Sequence, residues 1–296
     1  MQAGVSVVYS TGKANTFFMN RKEFIASATP ILWLLAGGKV LRMAGPASPD
    51  ADAENMVLRF GVASDGHYGE PNTPYENYFT ALVDKVNHFH EQHPLSFFVI
   101  NGDIIHNESR FFAPAKKKLD GLVPSYYVTQ GNHDHIDAAG WEAIWGLPVN
   151  HHFHIGRQSF LLLTTSNAKG EYLCPDLKWL QQKLDETRHQ DNVFIFMHIN
   201  PAGQTKYAVN CDPALELMAG HKNVRAVFNG HDHDIADVKV KNGIPFVFDG
   251  HFGGSWGTSY HGFRIVELMK DGSVRSYLMD PDKKTGESTL ARVAHS

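Results

Sequence analysis

The chain has 296 residues, 43% of them hydrophobic, 20% charged and 11% aromatic. This is the make-up of a chain that folds, not of a disordered, collagen-like or low-complexity one. The net charge of −4 offers no basic footprint for nucleic acid, and two cysteines, Cys174 and Cys211, are too few for a disulfide framework or a thiolate zinc site. Histidine is the outlier, at 18 residues.

The chain opens with a possible upstream extension, residues 1–18. Residues 19–53 have the three parts of an export signal. A basic start (Arg21-Lys22-Glu23-Phe24) precedes an apolar run at Ala28–Gly38 and a small-residue stretch ending in Ala51-Asp52-Ala53. The start is similar to a twin-arginine signal with Lys22 in place of the second Arg. The expectation is export to a periplasmic or extracellular compartment by a Sec/Tat-like route. The alternative is a cytoplasmic protein with an amphipathic N-terminal helix. The run is too short to span a bilayer, which takes about 20 residues, so no stable membrane anchor is expected.

From residue 56 onward strand-like and helix-like segments alternate. Val57–Ser64 is a buried-strand run, and Glu76–His93 carries Tyr78, Phe79, Leu82, Val83, Val86 and Phe89 at helical spacing. Ser96–Ile100 and Ser125–Thr129 read as strands on either side of a helix near 109–120. Phe153–Ile155 and Ser159–Thr164 read as a strand pair. Asp176–Thr187 is a helix, Val193–Met197 a strand, 213–219 a short helix and Val224–Asn229 another strand. Residues 235–280 read as an antiparallel meander, and the polar tail 281–296 as loose. The expectation is one α/β domain over 56–280, with helices covering a pair of sheets.

Five polar clusters each follow a strand: Asp65-Gly66-His67, Gly102-Asp103, Gly131-Asn132-His133-Asp134, His198, and Gly230-His231-Asp232-His233. Taken singly they are turn dipeptides or loop histidines. Taken together, at the carboxyl ends of strands, they would gather Asp65, His67, Asp103, Asn132, His198, His231 and His233 in one cavity. That mixture of carboxylate, amide and imidazole suits borderline or hard divalent ions. Seven ligands are too many for one tetrahedral ion and suit two ions with open positions.

The order DxH, GD, GNHD, lone His and GHxH resembles the calcineurin-like metallophosphoesterase superfamily, over about residues 57–250. The resemblance implies a four-layer α/β/β/α sandwich. It implies two metal ions (Mn, Fe or Zn): Asp65, His67 and His233 would hold one, and Asn132, His198 and His231 the other. Asp103 would bridge them. The reaction implied is hydrolysis of a small-molecule phosphate ester, a phosphomonoester or a phosphodiester, by a hydroxide that the two metals activate. His133 would be the general acid and Asp134 a loop anchor. His106, three residues after Asp103, stands where the purple acid phosphatase branch has a metal-binding Tyr, which argues against an iron–tyrosinate site. His106 would bond the phosphate or His133, or bind metal.

Two rival readings compete with the enzyme. One is a non-catalytic metal-binding module of the same fold. The other is a serine hydrolase using Ser255, because Gly253-Gly254-Ser255-Trp256-Gly257 matches G-x-S-x-G. That motif needs a helix after it, and the following segment reads as strand. His251 beside it reads as an exposed loop histidine. Asn200–Asp212, with Asn200, Lys206 and Tyr207, is expected to form a substrate rim.

Overall fold

The computed structural model describes residues 7–8, 16–17, 31–36, 39–44, 54–280 and 283–291. The chain divides into two units, Met1–Met56 and Val57–Ser296. In the first, β1 (Val7–Val8) pairs antiparallel with β2 (Thr16–Phe17), and β3 (Ile31–Ala36) with β4 (Lys39–Ala44). Most of the apolar run Ala28–Gly38 is strand β3, not the helix of the alternative reading; its Ile, Leu and Trp suit extended backbone. The rest of the expected signal lies outside the described residues.

The second unit is built on two six-stranded sheets. One has the order β12-β13-β11-β10-β9-β8. Its strands are β8 (His151–Ile155), β9 (Gln158–Leu163), β10 (Asn192–Met197), β11 (Val224–Asn229), β12 (Val238–Lys241) and β13 (Ile244–Phe248). The four central strands run parallel, and β8 and β12 are antiparallel edges. The other sheet has the order β16-β15-β14-β5-β6-β7. Here β5 (Met56–Ala63), β6 (Phe97–Asn101) and β7 (Tyr126–Thr129) are parallel. β14 (Phe263–Met269), β15 (Val274–Asp280) and β16 (Lys283–Thr289) form the meander. Lys283–Thr289, expected as a loose tail, therefore extends the sheet. Its side chains are polar because it is an edge strand.

The strand sequences are nearly continuous apolar runs because both faces are covered. Successive side chains alternate between the two faces. Phe60, Val62, Phe97, Val99, Phe160, Leu162, Phe194, Phe196 and Phe228 point into the layer between the sheets. Phe98 and Ile100 point outward, to α1 (Tyr75–Gln92), α2 (Phe112–Leu119) and α3 (Ala138–Trp145). Leu161, Leu163, Val193, Ile195 and Met197 point to α4 (Leu177–Glu186) and α5 (Asp212–Gly220). The layers are helix, sheet, sheet, helix. Helix α3 was not foreseen. Asp137 caps its start by accepting Gly140 N, and Gly146 ends it with φ +72. Among the described residues no helix is long and apolar enough to cross a membrane.

Candidate metal centre

The loops after β5, β6, β7, β10 and β11 meet at one place, as their positions at strand ends require. Backbone bonds join them: Asp65 N donates to Gly102 O (3.1 Å), His67 N to Asp103 O (3.0 Å) and Gly230 N to His198 O (3.0 Å). Asp65, His67, Asp103 and His231 all have positive φ, from 46 to 67. L-residues are held in that region at a cost, and such residues cluster at functional sites. Gly102, with φ +85, is also a close approach: a Cβ there would lie 2.4 Å from His198 Nδ1.

Three groups of potential ligands result: Asp65/His67/His233, Asp103/His198/His231, and His67/His106/His133. In each, one ligand atom per residue lies within 4.8 Å of the others; every residue of the first two is buried, whereas His106 and His133 of the third are half-buried. Asp65 Oδ1 is 3.1 Å from His233 Nε2. Asp103 Oδ2 faces both of the buried groups, 3.1 Å from His198 Nε2 and 3.7 Å from His67 Nε2. Asn132 sits in a 3-10 turn, Asn132–Asp134, that packs on Asp103. The amide of its neighbour His133 donates to Asp103 Oδ1 (2.7 Å).

The outer nitrogens of three histidines are already engaged. His198 Nδ1 donates to Asn101 O (2.7 Å) and His233 Nδ1 to Trp256 O (3.1 Å). His67 Nδ1 faces His106 Nδ1 at 3.2 Å. Each therefore turns Nε2 inward, the arrangement that metal-binding histidines show. Asn132 Oδ1 and His231 Nε2 are buried with no hydrogen-bond partner. Buried polar atoms are nearly always satisfied, so two orphans aimed at one place fit a bound cation.

The electrostatics point the same way. Burial pushes His67 down to about 3 and His231 down to about 4, so both are neutral at pH 7 and keep a lone pair. Burial opposes ionisation of Asp65 and Asp103, yet the surrounding histidines hold both well below the usual carboxylate range. Burial also opposes charge on His198, but the Asp103 and Asp65 carboxylates outweigh it and push it up to about 10. The pocket is thus organised to hold positive charge among its carboxylates.

The remaining candidates fall around this core. His133 Nδ1 bonds Asn107 Oδ1 (2.7 Å), and its ring lies 5.0 Å from that of His106 at 16°. Asn107 was not foreseen. Its φ of 66, which Asn tolerates better than most residues, is the only local mark of a special position. The Asp134 carboxylate accepts the amides of Ile104 (2.9 Å), Ile105 (3.0 Å) and Gly131 (2.8 Å), which anchors the loop as expected. His251 is not an exposed loop residue. It is 1% exposed and stacks beneath His233 at 5.0 Å. Asn200 is likewise buried and holds its own loop, accepting Ala202 N (2.8 Å), so the rim there is Lys206 and Tyr207. Ser255 donates to Glu70 Oε1 (2.5 Å), and the segment after it is strand β14, not a helix. The serine-hydrolase reading therefore lacks both its histidine partner and its elbow. The G-x-S-x-G turn instead carries Trp256 over His233. Gly257, with φ +116, passes so close that a Cβ would lie 2.5 Å from His233 Cβ.

Cys174 and Cys211 form a disulfide with Cα atoms 5.6 Å apart. It joins the loop after β9 to the loop after β10.

Comparison with known proteins agrees with this architecture. The human serine/threonine-protein phosphatase CPPED1 is 26% identical over 212 residues, which is 61% of this chain and 67% of that protein. The rat CPPED1 is 27% identical over 221 residues, 64% of this chain and 70% of that protein. Among solved structures, a dimetal phosphatase from Danio rerio superposes with a TM-score of 0.66 at 15% identity, over 81% of this chain and all of that one. GAP50, the anchor in the inner membrane complex of Plasmodium, superposes at 0.58 and 13% identity, over 80% of this chain and 89% of that one. At those identities the structures speak for the fold alone. The family model described as calcineurin-like phosphoesterase matches residues 58–234, the span that carries all five clusters. The chain is a member of the calcineurin-like phosphoesterase family, a hydrolase of phosphate esters.

Proposed function

We propose that the protein hydrolyses a small phosphate ester with two metal ions held by the clustered residues. Asp65, His67 and His233 would hold one ion, Asn132, His198 and His231 the other, and Asp103 would serve both. The observation that carries this reading is the pair of adjacent buried triads with Asp103 Oδ2 facing each. Bound there, two ions would lower the pKa of a water and take up charge on the phosphoryl oxygens.

The chain's own contributions follow from its hydrogen bonds. His198 and His233 are fixed by backbone carbonyls, so their Nε2 atoms need no reorientation. His133 gives its Nδ1–H to Asn107, which leaves Nε2 to carry a proton to the departing alkoxide. His106 accepts from His67 Nδ1 and thereby steadies that ring. The disulfide supports an oxidising compartment, in keeping with an exported protein.

The test is turnover of p-nitrophenyl phosphate and bis-p-nitrophenyl phosphate with Mn²⁺, Zn²⁺ or Fe, alongside metal content. Asp103→Ala should lose both metal and turnover. His133→Ala should keep the metal and lose rate by roughly a hundredfold or more. No turnover with any ion, in a protein that binds them, would leave the non-catalytic metal-binding module as the better account.

A further inference from the structure

Three aromatic side chains at the mouth of the centre, Trp256, Tyr207 and Tyr172, have no part in the chemistry above. His251, His233 and Trp256 form a three-ring stack: His251 lies 5.0 Å from His233 at 16°, and Trp256 lies 4.4 Å from it at 4°. Trp256 is the outermost ring and remains 45% exposed. Tyr207 meets Trp256 at 6.0 Å and 70°, and its edge faces His231 at 6.0 Å. Tyr172 stands over His231 at 4.8 Å and 87°, and is 42% exposed. Among the described residues, Tyr172 and Trp256 are the exposed large aromatics; Tyr172 borders His231, Trp256 borders His233, and Tyr207 touches both Trp256 and His231. Exposed apolar surface beside a site marks a binding surface.

These rings are also held in place. Tyr172 pairs with Ser166 in a bridge across its loop, and Ala202 pairs with Asn210 across the loop of Tyr207. The Cys174–Cys211 disulfide fastens the two loops together. Little order has to be imposed when a ligand arrives, so contact with the rings is converted efficiently into affinity.

We propose that this rim selects phosphate esters whose organic half carries a flat unsaturated ring, which stacks on Trp256 with Tyr172 and Tyr207 as side walls. The ring is a nucleobase or a simple aryl group. A quaternary ammonium group also favours aromatic walls, but the Lys206 ammonium already lies 4.9 Å from the Tyr207 ring and repels a second cation. The proposal rests on the phosphoesterase reading.

The test uses matched esters with the full chain and Mn²⁺. Adenosine 5′-monophosphate is compared with ribose 5-phosphate, and benzyl phosphate with cyclohexylmethyl phosphate. Within each pair the scissile bond is the same kind and only the ring differs. One pair at least should show a preference in kcat/KM of about tenfold for the unsaturated ring, the scale of a base stacked on an aromatic side chain. The pair that shows it tells nucleobase from aryl. The ratio should fall toward one in Trp256→Leu and in Tyr172→Leu, and persist in Trp256→Phe. Ratios near one in the unaltered protein, or ratios that survive Trp256→Leu, overturn the proposal. A second readout is independent of turnover: adenosine should quench tryptophan emission of EDTA-treated protein, and Trp256→Phe should remove that quenching. If none of the four esters is cleaved but adenosine quenches, the rim stands and the monoesterase reading falls. If none is cleaved and adenosine does not quench, both fall.

Discussion

His133 is held by Asn107 through two bonds: Nδ1 to the amide oxygen (2.7 Å), and the His133 carbonyl to the Asn107 amide N–H (2.9 Å). The amide oxygen accepts from Nδ1–H and so fixes the imidazole tautomer. Removing it in Asn107→Ala should lower kcat and leave KM nearly unchanged. The loss of a hydrogen bond worth about 1 kcal/mol corresponds to roughly fivefold in rate. Steady-state kinetics checks this, and Asn107→Asp should restore most of the rate because it offers the same oxygen. The predicted ligands were legible because each directly follows an apolar run, and strand ends are where an α/β site forms. Asn107, Trp256 and the buried His251 were not legible. Their roles depend on which loop tips meet across the molecule, and no periodicity records that.

At the scale of elements, most strands and helices follow from apolar runs and helical spacing. The exceptions have physical reasons. Helix α3 is short and mixes Ala, Gly and Trp, and Trp141 alone is fully buried. Strand β16 is polar because it is an edge strand, paired only with β15. Two predictions concern elements. The disulfide closes a loop with a sequence separation of 37 residues, and a closure of that size stabilises by about 3–4 kcal/mol in the chain-entropy account. Reduction, or Cys174→Ser with Cys211→Ser, should therefore lower the midpoint of urea unfolding by a corresponding amount. Strand β8 begins at His151, which burial pushes from 6.5 down to about 4. Its folded-state pKa is depressed, so the neutral form is favoured on folding. The contribution is complete above pH 6.5 and is lost as pH falls toward 4, up to about 3 kcal/mol. Urea titrations at pH 7.5 and pH 5 should show a smaller loss of stability in His151→Gln than in the unaltered protein.

At the scale of the whole molecule, the sandwich depends on the aromatic layer between the sheets. Phe60 is fully buried there. It stacks on Phe97 at 4.9 Å and meets Phe160, Phe194, Phe196 and Phe228 edge-on at 5.5–6.1 Å. Phe60→Ala should cost about 3–5 kcal/mol in urea unfolding, because no neighbour can collapse into the space without leaving its own strand register. The two-sheet architecture was foreseen from the alternation of elements and from the motif order, while the pairing of the final strand was not. The centre lies on the seam of this sandwich. Asp65, His67 and Asp103 come from loops of one sheet, and His198, His231 and His233 from loops of the other. Each triad thus draws from both halves. A cation bound by either would act as a rivet, and occupancy would be thermodynamically linked to how firmly the two halves are docked. The same seam that concentrates the ligands would make metal supply a determinant of how long the folded protein survives.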